Sequence, residues 1–290
     1  MKSILKLTSA FAILAAVTAQ DLDKPALTDD LDYLLAGNEA NLPSSSHTIS
    51  SWTSGTLPSD CKILAENEDK ALSEIEVFDV QYEDCSKSWV FCRHKDAESS
   101  IETAAETFGK VPVGIRDWTK HVILFPGRDD GLGAYNDRNG NIVFFGERNL
   151  NVYIHEAAHS LDVLKGFNGV ETNQNPTYLS AYAVDSHVPD NYAASTHLEN
   201  TAQNTVIGVY DLNVPGGFPG IQPEYYKIVH QHSAIKQIYG DALKSGGKCG
   251  SRLGDSETVN LKSRKRGLFE AEGVAKRVSG MRRGMSGDRF

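Results

Sequence analysis

Long apolar runs are scarce in this sequence. After Phe11 to Val17 no further stretch is long and apolar enough to read as a membrane span. No Asn-x-Ser/Thr acceptor free of proline is present, so N-linked glycosylation is not expected. No internal repeat is visible. Basic residues are under-represented in the body of the chain: residues 21 to 250 carry 17 Lys and Arg against 33 Asp and Glu. A net charge of −16 there argues against nucleic-acid binding, which needs clustered cations for phosphate contacts. With 290 residues, 40% hydrophobic and 23% charged, the composition excludes a mainly disordered, collagenous or coiled-coil chain.

The run that is present lies at the start. Lys2 and Lys6 precede it, and Ala16, Thr18 and Ala19 supply small residues near a cleavage point, so residues 1 to 20 read as a secretory signal peptide. The mature protein is therefore expected to be secreted and extracellular. Export puts Cys61, Cys85, Cys92 and Cys249 in an oxidising compartment, where an even count predicts disulfides. Of the three pairings, Cys85 with Cys92 and Cys61 with Cys249 is the favoured one.

Residues 21 to 60 are acidic and Ser-rich with little periodicity, and read as a flexible leader or propeptide. Residues 251 to 290 carry ten basic against five acidic residues and read as a disordered basic tail, with a dibasic processing point after Arg266. The domain between, residues 61 to 250, is predicted to be α+β. Helices are expected over Lys62 to Leu72 and Asp96 to Phe108, with short strands at Val77 to Val80 and Trp89 to Phe91 between them. His121 to Phe125 and Ile142 to Phe145 read as strands, the second following an Asn139-Gly140 hairpin turn. Leu150 to Lys165 has an apolar helical face, and further helices are expected from Ser195 or Thr196 to about Val209 and from Glu224 to Tyr239.

The helix at 150 to 165 carries His155-Glu156-Ala-Ala-His159, an HExxH motif. Positions i and i+4 lie one turn apart on one helix face, so two imidazoles can converge on one Zn²⁺. Glu156 beside them is placed to take a proton from an activated water. A catalytic zinc site needs a third protein ligand. The metzincin pattern would require Gly at 162 and His at 165, where this chain has Asp162 and Lys165; an aspartate third ligand in a Gly-Thr-x-Asp segment is likewise missing. The best candidate is Glu199, near the start of the next long helix. A competing role exists for it, because Thr196-x-x-Glu199 is also a capping box. His187, His197, His230 and His232 are weaker substitutes. Asp162, one turn beyond His159, is a candidate to orient a ligand histidine through its free nitrogen.

The segment HEAAHSLD, followed by an Asp-x-Tyr-Ala segment and a helical Glu, resembles the gluzincin metallopeptidases of the anthrax lethal factor type over about Ile142 to Val209. Those enzymes pair HExxH with a Tyr seven residues before the ligand Glu, the separation between Tyr192 and Glu199. The chain departs from them after Glu199, where Asn-Thr-Ala-Gln replaces a more apolar and acidic run. With its signal segment, cysteine loop and acidic body, the chain also resembles the secreted fungal conidiation-specific 13 proteins over most of residues 1 to 250. The first resemblance implies a zincin-like fold, a small mixed sheet whose edge strand lies over the active-site helix and a mainly helical C-terminal half. It also implies peptide-bond hydrolysis with zinc on His155, His159 and Glu199, Glu156 as general base and Tyr192 as an oxyanion donor. The strand Ile142 to Phe145 is the expected edge for an extended peptide substrate. A monomer is expected. The main alternative is a secreted or spore-surface binding protein, associated with conidiation, that keeps the metal for structure.

Overall fold

The apolar runs Val122 to Phe125 and Ile142 to Phe145 lie in interior strands of a six-stranded mixed sheet. A computed structural model describes residues 22–250 and 252–261. Its strands are β1 (Ala26–Thr28), β2 (His47–Ser51), β3 (Thr56–Pro58), β4 (Ile75–Tyr82), β5 (Trp89–His94), β6 (His121–Phe125), β7 (Ala134–Asn136), β8 (Asn141–Phe145), β9 (Val188–Asp190) and β10 (Thr258–Asn260). The helices are α1 (Leu35–Asn41), α2 (Ser59–Asn67), α3 (Ile101–Lys110), α4 (Val113–Arg116), α5 (Leu150–Ser160), α6 (Pro176–Val184), α7 (His197–Asn213), α8 (Gly217–Ile221) and α9 (Val229–Tyr239).

The sheet order is β2-β4-β5-β6-β8-β7. β5, β6 and β8 run parallel, while β2, β4 and β7 run antiparallel to their neighbours. Parallel interior strands are covered on both faces and so read as unbroken apolar stretches. In β6 and β8 every residue is buried. Alternation sends Val122, Leu124, Ile142 and Phe144 to one face, under α3, α5, α7 and α9. Ile123, Phe125, Val143 and Phe145 go to the other, under α2. The fold is thus α+β with a mixed sheet, and its C-terminal half is mainly helical, as expected from the sequence. No helix among the described residues is long and apolar enough to cross a membrane.

Three expectations are corrected. The hairpin strand is not an edge: β8 lies between β6 and β7, and the edge is the three-residue β7, joined to β8 through a turn in which Arg138 and Gly140 adopt φ of 65° and 92°. Residues 22 to 60 are not a flexible leader. β2 forms the opposite edge of the sheet, β1 pairs parallel with β9, and α1 packs on the main core. At the other end β10 returns to pair with β3, so the start of the basic tail belongs to the fold. The signal segment and the tail beyond Leu261, with the processing point at Arg266, lie outside the described residues.

The third correction is the disulfide pairing. All four cysteines are bridged, but as Cys61–Cys92 and Cys85–Cys249, with Cα separations of 6.3 and 5.0 Å. Side-chain alternation decides this. On β5, Trp89 and Phe91 face the main core, so Val90 and Cys92 face the opposite layer, where Cys61 of α2 lies. Cys85 packs with the main core and cannot reach a cysteine on the far face. The loops closed are 31 and 164 residues. By chain entropy, removing either bridge by a double Ser substitution is expected to cost about 3 to 5 kcal/mol in a urea melt. A non-reduced digest analysed by mass spectrometry checks the pairing itself.

Candidate metal centre

α5 is buried around its whole circumference, packed against β7 on one side and α7 on another. Its first turn is capped by Asn149, whose side chain accepts from Val152 N at 3.2 Å. The helix continues through a π turn, Leu161–Lys165, which covers the full span expected from the sequence. α7 begins at Thr196, whose Oγ1 accepts from Glu199 N at 3.1 Å. Half of the capping box therefore forms. The Glu199 carboxylate, however, faces α5.

There the three candidate ligands meet. His155 Nε2 is 3.0 Å from His159 Nε2, and Glu199 Oε2 is 3.1 Å from each of them. All three side chains are buried, and they form one of two His/Cys/Asp/Glu groups among the described residues whose ligand atoms lie close enough to hold a metal ion. A second cluster, Cys85, Asp117 and Cys249, is spent on a disulfide. Donors about 2.0 to 2.1 Å from a tetrahedral zinc lie roughly 3.3 Å from one another, so this triangle has nearly the dimensions of a zinc face. Two imidazoles and one carboxylate also match the donor set of open zinc sites that keep a position for water.

The hydrogen bonds around the triangle fix which atoms carry lone pairs. Gln203, one turn after Glu199 on α7, donates from Nε2 to Asp190 and accepts at Oε1 from His155 Nδ1, 3.0 Å away. An amide held that way requires the proton of His155 on Nδ1, leaving its Nε2 lone pair aimed into the triangle. A second lone-pair donor, the Glu199 carboxylate, points at the same spot. A cation placed between such converging acceptors would neutralise them. Burial alone would push the Glu199 carboxyl up, but the charge of His159 and the contacts of the carboxylate with both imidazoles outweigh it and hold it well below the usual range.

Asp162 does not take the orienting role expected of it. It is buried, and its Oδ1 accepts from Asn173 N and Nδ2 at 3.1 and 2.9 Å, while Oδ2 accepts from Thr201 Oγ1. The π turn swings it toward the Thr172–Gln174 turn and α7 rather than onto His159, whose Nδ1 has no hydrogen-bond partner among the described residues. Burial raises its carboxyl. Orientation of a ligand comes instead from Gln203 and Asp190, which were not singled out in the sequence. Gln203 carried one usable signal, its i+4 spacing from Glu199. Asp190 entered only as the first residue of the Asp-x-Tyr-Ala segment, with no role of its own, since its place depends on β1 pairing with β9. Its carboxyl is pushed up to about 6 by burial. Replacing Gln203 with Leu is expected to weaken zinc binding by about tenfold to a hundredfold, measured by competition with a chelating dye, with the fold intact by circular dichroism.

Tyr192 lies against the site, its ring centroid 5.5 Å from that of His155. Glu156 follows His155 on α5 and is fully buried; its backbone carbonyl accepts from Asn136 Nδ2 of the edge strand at 2.9 Å, which locks β7 to the helix. The substitute histidines all lie elsewhere. His230 pairs with Asp185 at 2.7 Å, His232 with Asp211 at 3.0 Å and His187 with Ser186 at 2.9 Å, while His197 packs on the Tyr182 ring. A cleft of about 830 Å³ opens beside the triangle, with His155, Tyr192 and Gln203 in its lining.

The family model for conidiation-specific protein Con-13 matches residues 28–237, a span that holds the sheet, all three triangle residues and the Gln203–Asp190 pair. The chain belongs to the Con-13 family. Conidiation-specific protein 13 of Neurospora crassa is 32% identical over 185 residues, which is 61% of this chain and 53% of that protein. The chain thus spans about half the length of the Con-13 relative it matches. No solved structure matches the chain. The Con-13 match begins at the end of β1, inside the segment that the sequence alone suggested was a leader, and stops before the basic tail.

Proposed function

We propose that this Con-13 family member is a secreted zinc-dependent metallopeptidase of zincin type. One observation carries the reading: His155 Nε2, His159 Nε2 and Glu199 Oε2 converge within 3.0 to 3.1 Å, with His155 held in the tautomer that turns its lone pair inward. Zinc held there supplies Lewis acidity to a peptide carbonyl and lowers the pKa of water toward about 7. The chain supplies the remainder. Glu156 takes the proton of the attacking water and returns it to the leaving amine. Tyr192 donates a hydrogen bond to the oxygen on which negative charge develops. Gln203 and Asp190 keep the His155 ring from rotating. The edge strand β7, tied to α5 through Asn136, is the sheet edge along which an extended substrate can add.

The comparisons accord better with a second reading. The Neurospora relative is named for conidiation, and a conidiation-associated secreted or spore-surface binding protein needs the metal only for structure. The two readings separate in one experiment. Zinc-loaded protein is incubated with a proteome-derived peptide library and new N-termini are sequenced. Reproducible cleavage supports the peptidase; about one zinc per chain with no cleavage leaves the binding protein.

A further inference from the structure

The cleft beside the metal centre is unevenly charged. Asp29, Asp30, Asp32, Glu147 and Asp190 line it against a single cation, Arg148. Asp29, Asp30, Asp32 and Glu147 are exposed. Arg148 is fixed by its Nε to the carbonyls of Gly133 and Phe145 at 3.1 and 2.8 Å, and so is held away from neutralising the opposite wall. That wall is built by the N-terminal segment. Parallel pairing sets Thr28 against Asp190, and the chain then turns through Asp29 to Asp32. Asp29 Oδ1 accepts from Asn191 Nδ2 at 3.3 Å and Asp30 Oδ1 from Asp32 N at 2.9 Å, which fixes the direction of the turn.

The acidity is not the only sign of a ligand here. His155 belongs both to the cleft lining and to the candidate metal-ligand triangle, and the Tyr192 ring lies tilted beside it at the same opening. A volume of about 830 Å³ lies within the range of cavities that hold small ligands or a few residues of extended chain. A cleft lined by one sign of charge, with low-dielectric walls, concentrates counter-charged ligands at its mouth.

We propose that the cleft receives an extended peptide segment carrying Lys or Arg, whose cationic side chain is held by Asp29, Asp30 and Asp32 while its backbone passes His155 and Tyr192. This deepens the metallopeptidase reading and rests on it for the identity of the working face. Glu147 and Asp190 add to the field without needing direct contact. Selectivity is therefore a property of the N-terminal segment, and the chemistry belongs to α5 and α7.

The test uses full-length Glu156→Gln protein, in which turnover is suppressed, and two fluorescent peptides of equal length. One has Arg at two positions and the other has Glu there. Anisotropy titration in 50 mM salt is expected to show the Arg peptide binding at least about tenfold tighter, a preference that shrinks in 500 mM salt as screening shortens the reach of exposed charges. Adding Asp29→Asn, Asp30→Asn and Asp32→Asn together should lower affinity for the Arg peptide about tenfold, because each exposed pair contributes a modest amount. Asn preserves the turn-forming side-chain acceptor, and circular dichroism confirms that the variant is folded. Equal affinity for the two peptides, no binding of either, or an unchanged affinity in the folded triple variant overturns the proposal. The outcome is separable from the activity. Arg-peptide selectivity without any library cleavage by wild type removes the peptidase and leaves the cation-binding cleft, whereas cleavage with no preference for Lys or Arg removes the cation-binding cleft alone.

Discussion

Glu156→Gln is expected to lower peptide cleavage by about 10² to 10⁴-fold in kcat, the range that a positioned general base contributes, while zinc content stays unchanged. The substitution keeps volume and shape at a fully buried position in the middle of α5, so the helix and the imidazoles beside it stay in place. What is removed is the ability to take a proton from water. Gln cannot accept one at neutral pH and return it to the amine leaving group. Stopped-assay kinetics on a cleaved peptide, paired with zinc determination by mass spectrometry on the same preparation, read both halves of the expectation. Cleavage that survives at the wild-type rate would remove Glu156 from the chemistry.

His159→Ala is expected to empty the centre of metal, from about one zinc per chain to less than a tenth. In the proposed centre three donors would share one cation, and deletion of a donor leaves His155 Nε2 and Glu199 Oε2 with an incomplete face. The loss also registers in stability. A ligand that binds only the folded state contributes RT ln(1 + [L]/Kd), about 4 kcal/mol when free zinc is a thousandfold above Kd. For a chain of this size that corresponds to a fall in Tm of roughly 8 to 16 °C relative to the zinc-loaded wild type. Chelator-treated wild type is the matching control. The variant should melt near that apo protein and fail to respond to added zinc. A variant that still binds one zinc with wild-type affinity would show that the triangle is not the ligand set.

The parts of this molecule that could be read from sequence are those whose surroundings are uniform. His121 to Phe125 is legible as a strand because both its faces are buried, and Leu150 to Lys165 because its helical face is unbroken. Glu199 stands out as a candidate because it lies near the start of a long helix, where its side chain can face α5, although Thr196 three residues before it also fits a capping box. What was not legible depends on long-range pairing. β2 reads as Ser- and Thr-rich coil because an edge strand buries little, and only its pairing with β4 makes it a strand. The disulfides turn on which face of β5 Cys92 occupies, a parity that slips if the strand start is misplaced by one residue. Asp190 and Gln203 are ordinary polar residues until β9 and α7 bring them to His155.

The pairing of β1 with β9 also sets an order of events during synthesis. Ala26 leaves the ribosome early, but its partner Val188 is made 162 residues later. At about 5 to 20 residues per second, that interval is roughly 8 to 30 seconds. Throughout it β1 lacks the strand partner that fixes the acidic turn at Asp29 to Asp32, and Glu199 emerges only after β9. The cleft wall and the triangle of His155, His159 and Glu199 therefore close within moments of each other, late in translation, and any metal can be captured there only by a chain that is already mostly made.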